Sequence, residues 1–134
     1  MRYFNDFYIQ YQLTRNFGLT ACFDIGSQQI KKHSTAYFIW YSPALILHYQ
    51  LTNNWSCSLR GEYYHDKNEV IIATGTPNGF IMNGLSYNIN YSPVKNIICK
   101  VEGRWFNNTD KIFIQKNEAT SNNYFIFSSI AVSF

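Results

Sequence analysis

The sequence predicts an all-β chain: an antiparallel up-and-down transmembrane β-barrel, with about seven strands present and the barrel incomplete. Three observations lead there. Apolar and polar residues alternate with period two in seven segments of about ten residues, and no helical periodicity competes with it. The connections between these segments alternate between short and long. Finally, the 134 residues are 19% aromatic and only 14% charged, whereas ordinary soluble domains carry roughly 25% charged residues.

The first strand is predicted from about Tyr3 to Leu13, with Phe7, Ile9, Tyr11 and Leu13 facing one way and Asp6, Tyr8, Gln10 and Gln12 the other. The second, Phe17 to Gly26, sets Leu19, Ala21, Phe23 and Ile25 against Thr20, Cys22, Asp24 and Gly26. In the third, about Ala36 to Leu51, Tyr41, Leu45, Leu47 and Tyr49 oppose Ser42, His48 and Gln50; Pro43 must mark an edge, a bulge or a strand break, because it has no N–H to give to a ladder. The fourth, Trp55 to Asp66, alternates Trp55, Cys57, Leu59, Gly61 and Tyr63 with Ser56, Ser58, Arg60, Glu62 and Tyr64. The fifth, Phe80 to Ser92, puts Leu85, Tyr87, Ile89 and Tyr91 opposite Ser86, Asn88 and Asn90. The sixth, Ile97 to Phe106, opposes Ile97, Cys99, Val101, Gly103 and Trp105 to Lys100, Glu102 and Arg104. The seventh, Asn123 to Phe134, carries Tyr124, Ile126, Ile130, Val132 and Phe134 on one face, and Ser129, Ala131 and Ser133 on the other with Phe125 and Phe127 near its start. None of the apolar faces holds a charged residue.

The links Thr14 to Asn16, Thr52 to Asn54 and Pro93 to Asn96 are short and Asn-rich, as tight hairpins require. Those at Ser27 to Thr35, Lys67 to Gly79 and Asn107 to Asn122 are long and polar. One end of the sheet is trimmed and the other elaborate, the arrangement of an outer-membrane meander. A net charge of +3 with scattered basic residues gives no nucleic-acid stripe. Cys22, Cys57 and Cys99 are far apart and form no metal or disulfide pattern, so they read as small apolar fillers; no metal and no cofactor is expected. No run of apolar residues is long enough for a transmembrane helix, and the segment from Met1 to Asp6 does not read as a signal peptide.

Alternation alone does not say which face is wet. Aromatic residues gather toward strand ends (Trp55, Tyr63, Tyr87, Tyr91, Trp105, Tyr124), as girdles at two membrane interfaces would. Strands of about 9 to 13 residues suit a tilted bilayer crossing better than a soluble sheet. On this reading Asp24, Arg60, Glu62, Lys100, Glu102 and Arg104 line an aqueous lumen, and Arg60 with Glu62, and Lys100 with Glu102 and Arg104, project from one face because they lie two apart.

The segments Leu19-Thr-Ala-Cys-Phe-Asp-Ile-Gly26, Leu59-Arg-Gly-Glu-Tyr-Tyr-His-Asp66 and Val101-Glu-Gly-Arg-Trp-Phe-Asn-Asn-Thr-Asp110, with the terminal strand ending at Phe134, resemble the C-terminal part of the beta-barrel porins of the OmpL-like type. The resemblance implies matching positions at Arg60, Glu62, Tyr63, Asp66, Glu102 and Arg104, and a final residue, Phe134, that serves as the signal read by the barrel-assembly machinery. It also implies the outer membrane of a Gram-negative bacterium, contact with outer-membrane lipid, and passage of small hydrophilic solutes. Against the family's pattern, a signal peptide and the N-terminal strands are expected to be missing from residues 1–134.

Parity adds an independent expectation. Seven strands with the last running inward would make the first start outside, whereas a closed single-chain barrel has an even count and a periplasmic start. Residues 1–134 are therefore expected to be the C-terminal part of one larger barrel domain, with unpaired edges on the first and last strands. The leading function is a porin-like wall segment that performs no chemistry. The alternative is a soluble lipocalin-like barrel whose apolar face encloses a small apolar ligand. An outer-membrane enzyme has only His65-Asp66 and Glu62 as candidates, with Glu62 and His65 on opposite faces. His33 and His48 are isolated, and Gly75-Thr-Pro-Asn-Gly79 lacks the Lys-Ser/Thr ending of a phosphate loop. Oligomeric state is not fixed by any of these features.

Overall fold

A computed structural model describes residues 1–134. It holds strands β1 (Arg2–Gln12), β2 (Phe17–Gln29), β3 (Tyr37–Gln50), β4 (Trp55–Asp66), β5 (Phe80–Val94), β6 (Ile97–Asn108), β7 (Phe113–Gln115), β8 (Glu118–Thr120) and β9 (Asn122–Val132), and no helix. The seven long strands form one sheet in the order β1-β2-β3-β4-β5-β6-β9, every neighbouring pair antiparallel. The sheet does not close: β1 pairs only with β2, and β9 only with β6. The predicted meander is therefore present strand for strand. The long link from Asn107 to Asn122 differs from its expected loop form, since it folds into the small β7–β8 hairpin around Lys116 and Asn117, both at positive φ.

Registry explains why one alternation runs through the whole sheet. From β1 to β6, residues of even number pair with residues of even number, as in the row Gln12, Gly18, His48, Ser58, Asn88 and Glu102. At β9 the parity switches, so Glu102 meets Phe127 and Trp105 meets Tyr124. Residues directly opposite each other share a face. The charged positions thus collect on one side and most of the large aliphatic positions on the other. Pro43 breaks a ladder, as its ring requires: pairing of β3 with β4 skips from Tyr41↔His65 to Ala44↔Glu62.

Burial shows which way the sheet curls. Every buried strand residue lies on the polar face, among them Gly26, Trp40, Asp66, Gly84, Ser86, Glu102 and Asn108. The apolar face is exposed along its length, through Phe7, Ile9, Leu45, Leu85, Val101, Ile126 and Ile130. An apolar surface of this extent marks a face that meets lipid or another protein rather than water. The lipocalin-like alternative needs this face turned inward around a ligand, and the structure has it turned outward; the period-two pattern alone is the same for both.

Two of the three short turns share one construction. Tyr11-Gln-Leu-Thr-Arg-Asn-Phe17 and Tyr49-Gln-Leu-Thr-Asn-Asn-Trp55 differ at two positions. In the first, the Thr14 hydroxyl accepts the N–H groups of Asn16 and Phe17; in the second, Thr52 does the same for Asn54 and Trp55. Each of the three short turns also bonds to the next long strand or the residue just past it: the carbonyls of Asn16, Asn54 and Asn96 accept the N–H groups of Gln50, Ser92 and Ser133.

Trp40 lies flat over Gly26, where a Cβ would sit 2.4 Å from the indole ring. Gly26→Val is expected to cost about 1–3 kcal/mol by overpacking. Gly61→Val, on the open apolar face with nothing within 4 Å of the new Cβ, should change stability by less than about 0.5 kcal/mol. Unfolding of the detergent-solubilised protein in denaturant, followed by tryptophan fluorescence, measures both.

Candidate functional site

The polar face is the only part of the sheet that gathers charge, and it changes character from the short turns to the long loops. Nearest the short turns it is a carpet of amides and hydroxyls, with His48 Nδ1 3.1 Å from Ser58 Oγ and Asn90 donating to Ser56 Oγ at 3.2 Å. From the row of Asn90 and Lys100 onward come the ion pairs. Arg60 donates to Glu62 at 2.6 Å, and Glu102 takes Lys100 on one oxygen and Arg104 on the other. These pairs form because residues two apart on a strand point the same way, and because β5 places only Gly84, Ser86 and Asn88 between β4 and β6.

Glu102 is the pivot of this belt, with its side chain only 2% exposed. Phe127 lies beneath its two cations, 5.9 Å from Lys100 Nζ and 5.6 Å from Arg104 Cζ, so the partners are held by an aromatic face as well as by charge. Phe127 in turn stacks on Phe125, which packs against Phe106. Alternation puts Phe125 and Phe127 on this face but does not show that they support its cations.

Toward the long loops the face is aromatic and acidic. Phe4, Trp40 and Tyr64 stack at centroid distances of 5.5 and 6.0 Å, and Phe80 meets Tyr64 edge-on at 5.3 Å. Asp24 and Asp6 are register partners on this face, with no cation in salt-bridge contact. Asp66, fully buried, accepts the N–H groups of Val70, Ile71 and Ile72 at 2.7–3.0 Å. Aromatic residues were expected at the strand ends of the apolar face; the inward stack was legible only from the parity that Phe4, Trp40, Tyr64 and Phe80 share with Arg60 and Glu62.

The six predicted charged residues Asp24, Arg60, Glu62, Lys100, Glu102 and Arg104 all lie on this one face. Of the predicted girdle, Trp55 and Tyr91 meet at 4.5 Å at the short-turn end. Tyr63 lies 6.1 Å from Tyr41 near the long loops, as do Trp105 and its register partner Tyr124. Tyr87 is a correction: it stands mid-strand opposite Leu59 and Gly103 rather than at a strand end, beside a glycine that leaves open space. Phe134 is fully exposed two residues past β9, which ends at Val132. His65 faces the apolar side and stacks on Tyr41 at 4.9 Å, so it makes no acid–base pair with Glu62 across the sheet.

A family model described as "Putative beta-barrel porin-2, OmpL-like" matches residues 1–134, the whole chain. The chain belongs to this family. No curated protein and no solved structure gives a significant match. Membership of an OmpL-like porin family implies an outer-membrane lipid environment, which fits the exposed apolar face, and solute passage in general, which fits a charged inner one.

Outside the sheet, two loop carboxylates are held ionised by hydrogen bonds. The Thr74 hydroxyl and N–H, with the Gly75 N–H, hold Glu69 below the usual carboxylate range. The Asn78 side chain and N–H do the same for Asp110. Both carboxyls bind protons less readily folded than unfolded, so their support of the loops is complete above the unfolded pKa of about 4 and is lost as pH falls through the lower folded value. Hydrogen exchange at Thr74, Gly75 and Asn78, corrected for intrinsic rates, should stay slow at neutral pH and accelerate only below about pH 4. Glu102→Gln leaves Lys100 and Arg104 facing a neutral amide and should cost about 1.5–3 kcal/mol, measurable by the same denaturant titration in detergent.

Proposed function

We propose that the polar face lines an aqueous path by which small hydrophilic solutes diffuse across the outer membrane, and that these seven strands are part of the wall of a larger closed barrel. The observation that carries the reading is the division of the sheet: every ion pair lies on the inward face, and the outward face is apolar and uncharged. Such a face is stable only against water, and such an exterior only against lipid.

The free edges support the second half of the proposal. An unpaired strand edge in hydrocarbon costs several kcal/mol for each unsatisfied group. β1 is built like an interior strand, because its turn repeats the one that follows β3. The Gln50 N–H bonds the Asn16 carbonyl of the preceding turn, and the equivalent N–H on β1, that of Gln12, faces the open edge. With seven strands in the sheet, β1 and β9 run in the same direction. Closure with antiparallel seams at both edges therefore takes an odd number of further strands; a second copy of the sheet in the same orientation would make both seams parallel.

Conductance of the complete gene product in planar bilayers tests this. Discrete ohmic channels are expected, and a protein that inserts yet never conducts overturns the reading. Replacing Lys100 and Arg104 with Gln while keeping Glu102 removes two positive charges from the wall, and the reversal potential in a salt gradient should move toward greater cation preference.

A further inference from the structure

The loop between β4 and β5 is more ordered than a solvated connection needs to be. It begins at Asp66, whose buried carboxylate gathers three successive backbone N–H groups, and it turns at Glu69, which adopts positive φ and binds Thr74 and Gly75. Its far end is tied to the next loop by two hydrogen bonds from Asn78 to Asp110. The contact that gives the loop its direction comes from β1: Arg2 Nη2 donates to the Val70 carbonyl at 3.3 Å while its Nε holds Gln28. β1 and β4 are three strand spacings apart in the sheet, roughly 14 Å along its surface. An arginine spans only about half of that. The loop therefore leans from β4 over the ends of β3 and β2.

It leans over the inward side, because Arg2 and Asp66 both belong to the polar face. Beneath it, Phe4 and Tyr64, each two residues farther into the sheet than Arg2 and Asp66, stack on either side of Trp40. The rings lie one step below the loop's anchor residues, and polar contacts from β1, β4 and the 109–121 loop hold it. An outward loop would leave the inner rim of the face bare; this one is fastened along it, over the ends of β2 and β3.

We propose that residues 67–79 form a fixed constriction over the mouth of the polar path and set the upper size of the solutes that pass. The inference rests on the pore reading above. It is tested in the complete gene product in two measurements. In a background with Cys22, Cys57 and Cys99 replaced by Ala, cysteines at positions 2 and 70 should be joined by a short bismaleimide in the folded, membrane-inserted protein; absence of the cross-link overturns the placement of the loop, whatever the protein conducts. Arg2→Ala, and separately shortening the loop by deletion of residues 70–76, should raise single-channel conductance, at least twofold for the deletion, and admit larger sugars in liposome swelling. If the cross-link forms and both variants fold, yet conductance and size limit match the unaltered protein, the constriction is wrong and the pore stands. If the unaltered protein never conducts, the pore reading falls and takes this one with it.

Discussion

The arrangement depends on an unbroken backbone ladder that preserves parity. A sheet in hydrocarbon has to satisfy its N–H and C=O groups from its own neighbours, and here six antiparallel ladders do so, with one register shift, at the turn end of β5 and β6. Because a slip of one residue would turn a whole strand over, this pairing determines which side chains meet lipid and which meet each other. The Arg60–Glu62 pair, the Lys100–Glu102–Arg104 belt and the Phe4–Trp40–Tyr64 stack are all consequences of it. Even the parity change at β9 serves the same division, since it turns Phe125 and Phe127 inward under the cations and Tyr124, Ile126 and Ile130 outward.

Much of this was legible in the sequence because β-alternation is a local signal. β4 begins and ends where the pattern of Trp55 to Asp66 places it, and the charged residues fall on the face that alternation assigns them. What alternation does not encode is contact between rows. Trp40 reads as one more aromatic residue until Gly26, fourteen residues earlier, is seen to lie beneath it. Asp66 reads as the polar end of a strand, whereas its role is set by the backbone of the loop that follows. Tyr87 reads as a girdle residue because aromatics favour interfaces, yet its height follows from the length of β5 beyond it. The β7–β8 hairpin has strands of only three residues, too short to show a period.

The inner face is graded rather than uniform. Amides and hydroxyls near the short turns offer hydrogen bonds without charge, the central belt pairs opposite charges at short range, and the loop end combines aromatic rings with carboxylates. Salt bridges on a wet surface add little stability individually. Glu102, enclosed by two cations and a phenyl ring, is the member of the belt for which geometry rather than solvent determines the cost of removal.

The repeated turns have a geometric consequence. Following one row across the sheet, the partners Gln12 and Gly18 are six residues apart in sequence, His48 and Ser58 ten, and Asn88 and Glu102 fourteen. Each hairpin is thus staggered by two residues relative to the one before it, or one residue per strand. A rise of about 3.3 Å for each sideways step of about 4.8 Å inclines the strands by about 35° to the axis around which the sheet curls. That slope lies at the lower edge of the tilt typical of transmembrane barrels, and at that slope a strand of eleven residues such as β1 has a height of about 30 Å, the thickness of a bilayer's hydrocarbon core. The Asn16, Asn54 and Asn96 carbonyls, each bonded to the strand that follows, act as the pitch stops of a screw: they set how far each hairpin climbs past the last, and so the angle at which the wall stands in the membrane.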